Sequence, residues 1–211
     1  MIQPIQQWQQ LWRRLGSKGD STPIYLQLEE IYSRPGLFYH NFQHILTCLA
    51  EFNSVRELFN QPDLAEVAIW YHDCIYDPKR TDNEEDSADF ACASMHSLLE
   101  NNSQELQDSV RRLILVTKHN QSPVTMDEAL IQDIDLSILG KPPAIYNEYE
   151  KAIRQEYAWV PAEVFIAKRV EVLKKLSTPK VFHTDIFAQK YEQQAQCNIA
   201  NAISVLQRNA L

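Results

Sequence analysis

Val67-Ala68-Ile69-Trp70-Tyr71-His72-Asp73-Cys74-Ile75-Tyr76-Asp77-Pro78 is the stretch from which the rest of the chain can be ordered. Val67 to Tyr71 are apolar without interruption and read as part of a hydrophobic helix. The run follows Gln61-Pro62-Asp63, a good helix start, and leads into His72-Asp73. A histidine and an aspartate that leave such a helix must be ion-paired, hydrogen-bonded or placed on a metal if they are buried. The helix is expected to end at Asp77-Pro78, because the residue before a proline avoids the α region.

Working outward, the neighbouring segments also read as helices. Upstream, Ile45, Cys48, Leu49, Phe52, Val55 and Phe59 form the stripe of a helix expected over 41–59, with His40 and His44 four residues apart at its start. Before it, Ile5, Trp8, Leu11, Trp12 and Leu15 recur at helical spacing up to Gly16. A second helix opens at Thr22-Pro23 and carries Ile24, Leu28, Ile31 and Tyr32. The tryptophans read as core, with a dimer contact as the alternative.

Downstream, Asn83 reads as an N-cap ahead of Glu84, Glu85 and Asp86, acids that suit a first turn. Another helix is expected over 104–118. Thr125-x-x-Glu128 reads as a capping box opening a helix through Leu139, closed by Gly140. Three more helices are expected over 143–157, 161–176 and 185–207. No stretch alternates long enough for a sheet, and there is no repeat or low-complexity tract. The expectation is an all-α fold of one domain over 1–211, with its chemistry in 37–140 and further helices in 141–211.

The 211 residues are 45% hydrophobic, enough for a core without staples. A net charge of −8 argues against nucleic acid as a partner, but not against a small phosphorylated molecule at a local metal. Cys48, Cys74, Cys92 and Cys197 form no Cys-x-x-Cys pair and read as small buried hydrophobes. No apolar stretch approaches the ~20 residues of a membrane span. No signal peptide is visible, so a cytoplasmic protein is expected, with oligomeric state open.

Chemistry-bearing residues fall in three places: His40 and His44, then His72-Asp73, then Asp133-Ile134-Asp135. Imidazole and carboxylate together suit divalent transition metals, and helices converging on a core are a known way to assemble such a centre. Asp133 and Asp135 are about 200° apart around a helix, so one of them at most faces a shared site.

Tyr39-His40-Asn41-x-x-His44, His72-Asp73 and Asp133-x-Asp135, in that order, resemble the HD superfamily of metal-dependent phosphohydrolases. Trp70-x-His72-Asp73-x-x-Tyr76-Asp77-Pro78, Asp82-Asn83-Glu84-x-x-Ser87-Ala88 and Asp133-x-Asp135-Leu136-x-Ile138-Leu139-Gly140 resemble one uncharacterised bacterial branch of it. So do Ile153-Arg154-x-Glu156-Tyr157 and Val160-Pro161, so the likeness spans nearly the whole chain.

The resemblance implies a helical HD-type domain hydrolysing a phosphomonoester, a phosphodiester or a nucleotide phosphate. It implies one divalent ion (Mn, Fe, Ni, Co, Zn or Mg), or two, on His44, His72, Asp73 and a late aspartate. That aspartate is best matched by Asp135, with Asp133 the alternative. Asp73 would also orient the attacking water. Glu84 and Glu85 are candidates for acid–base work, with helix-dipole stabilisation as their bland role. His40, Lys118, His119 and Arg80 are candidate phosphate contacts, each with an ordinary structural explanation. A non-catalytic metal- or nucleotide-binding regulator and, at fold level only, a di-iron oxygenase are the rival readings.

Overall fold

A computed structural model describes residues 3–208. Among the described residues helix covers 72% and no strand forms, so the fold class is all-α. Two compact units divide inside one helix, after Ile131 and before Gln132. No described helix is long and apolar enough to cross a membrane.

The first unit holds α1 (Pro4–Arg14), α2 (Thr22–Tyr32), α3 (Phe42–Val55), α4 (Pro62–Tyr71), α5 (Asn83–Leu98) and α6 (Gln104–Leu115), and the start of α7 (Met126–Asp135). Its axis is α4. Every residue from Leu64 to Tyr71 is buried, and the helix packs against α1, α3, α5 and α6. Trp8 and Trp12 are core residues, with Trp8 edge-on to both Trp12 and Trp70, an arrangement that adds to their area burial.

Two buried carboxylates hold α4 in place. Asp127 accepts from the Asn60 and Gln61 backbone N–H groups, at 2.9 and 3.0 Å, just before the helix begins. Glu66 is paired with Arg14 and Arg56, each at 2.6 Å. A buried charge without such partners would be strongly destabilising.

The helix stops at Tyr71, well before Asp77-Pro78. The early end follows from bonds supplied by α5. Ser87 Oγ accepts from Ile75 N at 3.0 Å, and the Asn83 amide binds both Asp77 N–H and Asp77 C=O, at 3.1 and 2.9 Å. The backbone groups of this loop are thereby satisfied without helix. Asn83 is therefore the first residue of α5 rather than its cap, the capping position falling to Asp82. The long helices expected over 41–59 and 104–118 each tighten into a 3-10 turn, at Arg56–Leu58 and Val116–Lys118. Likewise α7 ends at Asp135 and a 3-10 turn, Leu136–Gly140, takes its place. Cys48, Cys74 and Cys92 are buried as expected, whereas Cys197 is exposed.

The second unit comprises the end of α7, α8 (Pro143–Glu156), α9 (Ala162–Leu176), the short α10 (Asp185–Phe187) and α11 (Gln193–Arg208), with a π-helical turn, Ala188–Glu192, between the last two. Long-range side-chain bonds tie it together. Asn198 Nδ2 donates to the carbonyls of Leu139 and Lys141, both at 2.8 Å. Buried Arg169 donates to Glu150 Oε1 and to Tyr149 OH, at 2.7 and 2.8 Å.

Gly140 is where two segments touch. A Cβ there would lie 2.5 Å from Tyr191 Cβ, an atom fixed to the backbone of the π-turn. Gly140→Ala should therefore lower stability by about 1–3 kcal/mol, the usual range for overpacking. The denaturant midpoint checks this, and an unchanged midpoint would mean that the contact yields freely.

Candidate metal centre

His44 is placed by the first turn of α3. Asn41 caps that helix, its side chain accepting from the Gln43 and His44 backbone N–H groups at 3.0 and 3.3 Å. The imidazole is thereby held one turn before Cys48. His72 occupies the C-cap position of α4, and its Nδ1 lies 2.9 Å from the Ile69 carbonyl. A carbonyl can only accept, so Nδ1 carries the proton and Nε2 presents a lone pair. A hydrogen bond of this kind commonly fixes the tautomer of a metal-binding histidine. Asp73 follows directly, its side chain mostly buried.

Three ligand atoms converge. His44 Nε2 and His72 Nε2 are 3.1 Å apart, and Asp73 Oδ2 lies 3.4 Å from the first and 3.2 Å from the second. With metal–nitrogen and metal–oxygen bonds of roughly 2.0–2.2 Å, two donors on one ion lie about 2.9 Å apart at a right angle and about 3.4 Å apart at the tetrahedral angle. The observed triangle falls between those limits. Hydrogen bonding alone serves it poorly, because with His72 Nδ1 already protonated one His44 proton would have to answer two acceptors. His44, Cys48 and His72 each offer a donor atom within 4.8 Å of the others, close enough to hold a metal ion.

Burial by itself would push the Asp73 carboxyl up. With the two imidazoles protonated, the His72 charge and hydrogen bonds from His44 and His72 more than offset this and hold it well below the usual carboxylate range. A cation held on the neutral imidazoles would act on Asp73 in the same direction and keep it ionised.

Of the other sequence-derived candidates, His40 and Glu84 lie near enough for their charges to interact with that of Asp73. His40 stacks on Tyr76 with ring centroids 3.9 Å apart, and Tyr39 lies against both His40 and His44. Lys118, in the turn after α6, donates to both Glu85 oxygens at 2.7 Å and to the Thr81 carbonyl at 2.8 Å, with Glu84 Oε2 at 3.6 Å. The bond to Lys118 pulls the Glu85 carboxyl down and the Lys118 ammonium up. Burial raises Glu84, with the Asp73 charge adding to the effect. Arg80 is engaged by Asp82 at 2.8 Å and by Asp86. His119 ends its turn with a left-handed backbone, φ 51°, uncommon for any residue with a Cβ.

The chain matches no known family model, no curated protein and no solved structure.

The two late aspartates have different surroundings. Asp133 is fully buried. Its Oδ1 accepts from His183 N at 2.7 Å, and its Oδ2 from Thr184 N and Thr184 Oγ1 at 2.8 and 2.6 Å. It thus braces the turn that enters α10. Asp135 is the last residue of α7, half-buried, and its charge acts on Tyr149.

Sequence reasoning passed over Cys48 as a neighbour of the donor set, since a cysteine on an apolar stripe is ordinarily a small hydrophobe. Its position four residues after His44 was the signal available, because residues i and i+4 share a helix face.

Proposed function

We propose that this chain is a metal-dependent phosphohydrolase of the HD type. The observation that carries the proposal is the convergence of His44 Nε2, His72 Nε2 and Asp73 Oδ2 to within 3.1–3.4 Å of one another. It agrees with the ordered motifs at Tyr39–His44 and His72-Asp73. The resemblance adds Asp135 to the ligand set.

A divalent ion held there would lower the pKa of a coordinated water and polarise a phosphoryl oxygen. The protein's part is to fix the donors. The Ile69 carbonyl aims the His72 lone pair, the Asn41 cap sets His44, and Asp73 stays ionised at the centre of the set. Glu84, whose carboxyl burial raises above its ordinary value, is the group suited to hold and pass a proton. Lys118 and His40 are the groups offered to phosphoryl oxygens, where preorganised donors stabilise developing charge. The substrate is a small phosphorylated molecule or a nucleotide.

The test is metal analysis of the purified protein together with hydrolysis of phosphomonoester, phosphodiester and nucleotide panels under added Mn, Co, Ni and Mg. About one metal per chain with phosphate release is the expected outcome. Metal without turnover on any panel member would favour a regulatory protein on the same scaffold. Two irons per chain without phosphate release would favour the oxygenase chemistry.

A further inference from the structure

The last carbonyls of α4 lead into His72 and Asp73, and like those of any helix end they need partners from outside the helical ladder. Ala68 C=O accepts from His72 N at 2.9 Å, Ile69 C=O from His72 Nδ1 at 2.9 Å, and Tyr71 C=O from Cys74 N at 3.0 Å. Trp70 C=O would take the Cys74 N–H if the helix ran on. It accepts instead from the hydroxyl of Tyr32, at 3.0 Å. Tyr32 reaches across from α2 and is 1% exposed. Burial raises its phenol well above the usual range, while the Asp73 backbone N–H, acting on the same oxygen as a hydrogen-bond donor, pulls the other way. One hydroxyl thus meets both of the peptide groups that bracket Tyr71 and His72.

The geometry points to Tyr32 as a positioning residue of the metal centre. Its hydroxyl stands in for the missing next turn of α4 and holds the chain in the course that brings the Asp73 carboxylate to His44 and His72, at 3.4 and 3.2 Å. Without it the Trp70 carbonyl is left to recover the Cys74 N–H. The helix would then run on past His72 and re-aim Asp73, since successive side chains on a helix are turned by about 100°. The inference rests on the metal reading above and deepens it. Tyr32 acts through the backbone and touches neither the ion nor the substrate.

The experiment titrates the metal-stripped full chain with cobalt(II) in competition with a chelator of known affinity, and compares two variants of α2. Tyr32→Phe removes the hydroxyl and keeps the ring in the core. Tyr25→Phe, in the same aromatic core against Trp8 and Trp70, removes a hydroxyl that does not bond to α4. Wild type should bind about one cobalt per chain. Tyr32→Phe should keep the far-ultraviolet circular dichroism of wild type and bind cobalt roughly 10–100-fold more weakly, the usual loss when a group that orients a ligand is removed. Tyr25→Phe should match wild type. Wild-type affinity in folded Tyr32→Phe would overturn the inference and leave the metal centre standing. Equal weakening in both variants would also overturn it, because the packing of α2 rather than one hydroxyl would then be at work. No cobalt bound to wild type would overturn the metal reading itself, and this inference with it. A second measurement needs no variant. Amide hydrogen exchange followed by NMR on the metal-free wild type should find the Asp73 N–H protected. An Asp73 amide exchanging at the rate of an open loop would overturn the inference even where Tyr32→Phe fails to fold.

Discussion

His72→Ala and Asp73→Ala should each abolish tight metal binding while leaving nearly all of the helix in place. Each removes one corner of a three-atom set whose members are 3.1–3.4 Å apart. Losing a residue that merely supports a ligand costs roughly 10–100-fold in metal affinity, so losing a ligand should exceed that range. The helices should persist because α4 is held by Leu64–Tyr71, by the Asp127 bonds at its start and by the Glu66 ion pairs, none of which involves His72 or Asp73. Equilibrium dialysis against manganese or zinc, with far-ultraviolet circular dichroism on the same samples, checks both halves. Full metal occupancy in either variant would remove the site assignment.

Asp133→Ala should destabilise the second unit by about 3 kcal/mol or more. The carboxylate satisfies two backbone N–H groups and a hydroxyl in a place closed to water. Each buried donor left without a partner costs roughly 1–3 kcal/mol. Asp133→Asn keeps one acceptor oxygen and should cost less. The contrast with Asp135 is the informative part. Asp135→Asn should weaken metal binding and barely move the urea midpoint, and Asp133→Asn should do the reverse. If both variants lose metal to the same degree, or neither does, the assignment of Asp135 fails.

What the sequence disclosed, it disclosed through local pattern. The run Val67–Tyr71 has no polar face and became a helix with none. The stripes of α1, α3 and α6 put the expected residues inside, including Trp8, Phe52 and Val110. Less legible were helix ends decided by partners far along the chain. The stop at Tyr71 depends on Asn83 and Ser87, which satisfy the following loop from another helix. The surroundings of Asp133 depend on Thr184, fifty-one residues away, a relation that no periodicity encodes. Cys48 was hidden for the opposite reason, since its local pattern had a sufficient apolar explanation.

The burial of α4 on all sides also divides the labour between parts of the chain that can drift and parts that cannot. A helix with no solvent face offers selection almost no neutral substitutions, so the support beneath His72 is frozen by packing alone. Phe38, Tyr39, His40, Tyr76 and Arg80 sit instead on the loops that lead into α3 and out of α4, where exposed or half-exposed side chains change at little structural cost. On the proposed function, the molecules this chain takes could change by the rewriting of two short loops, with the donor set inherited intact.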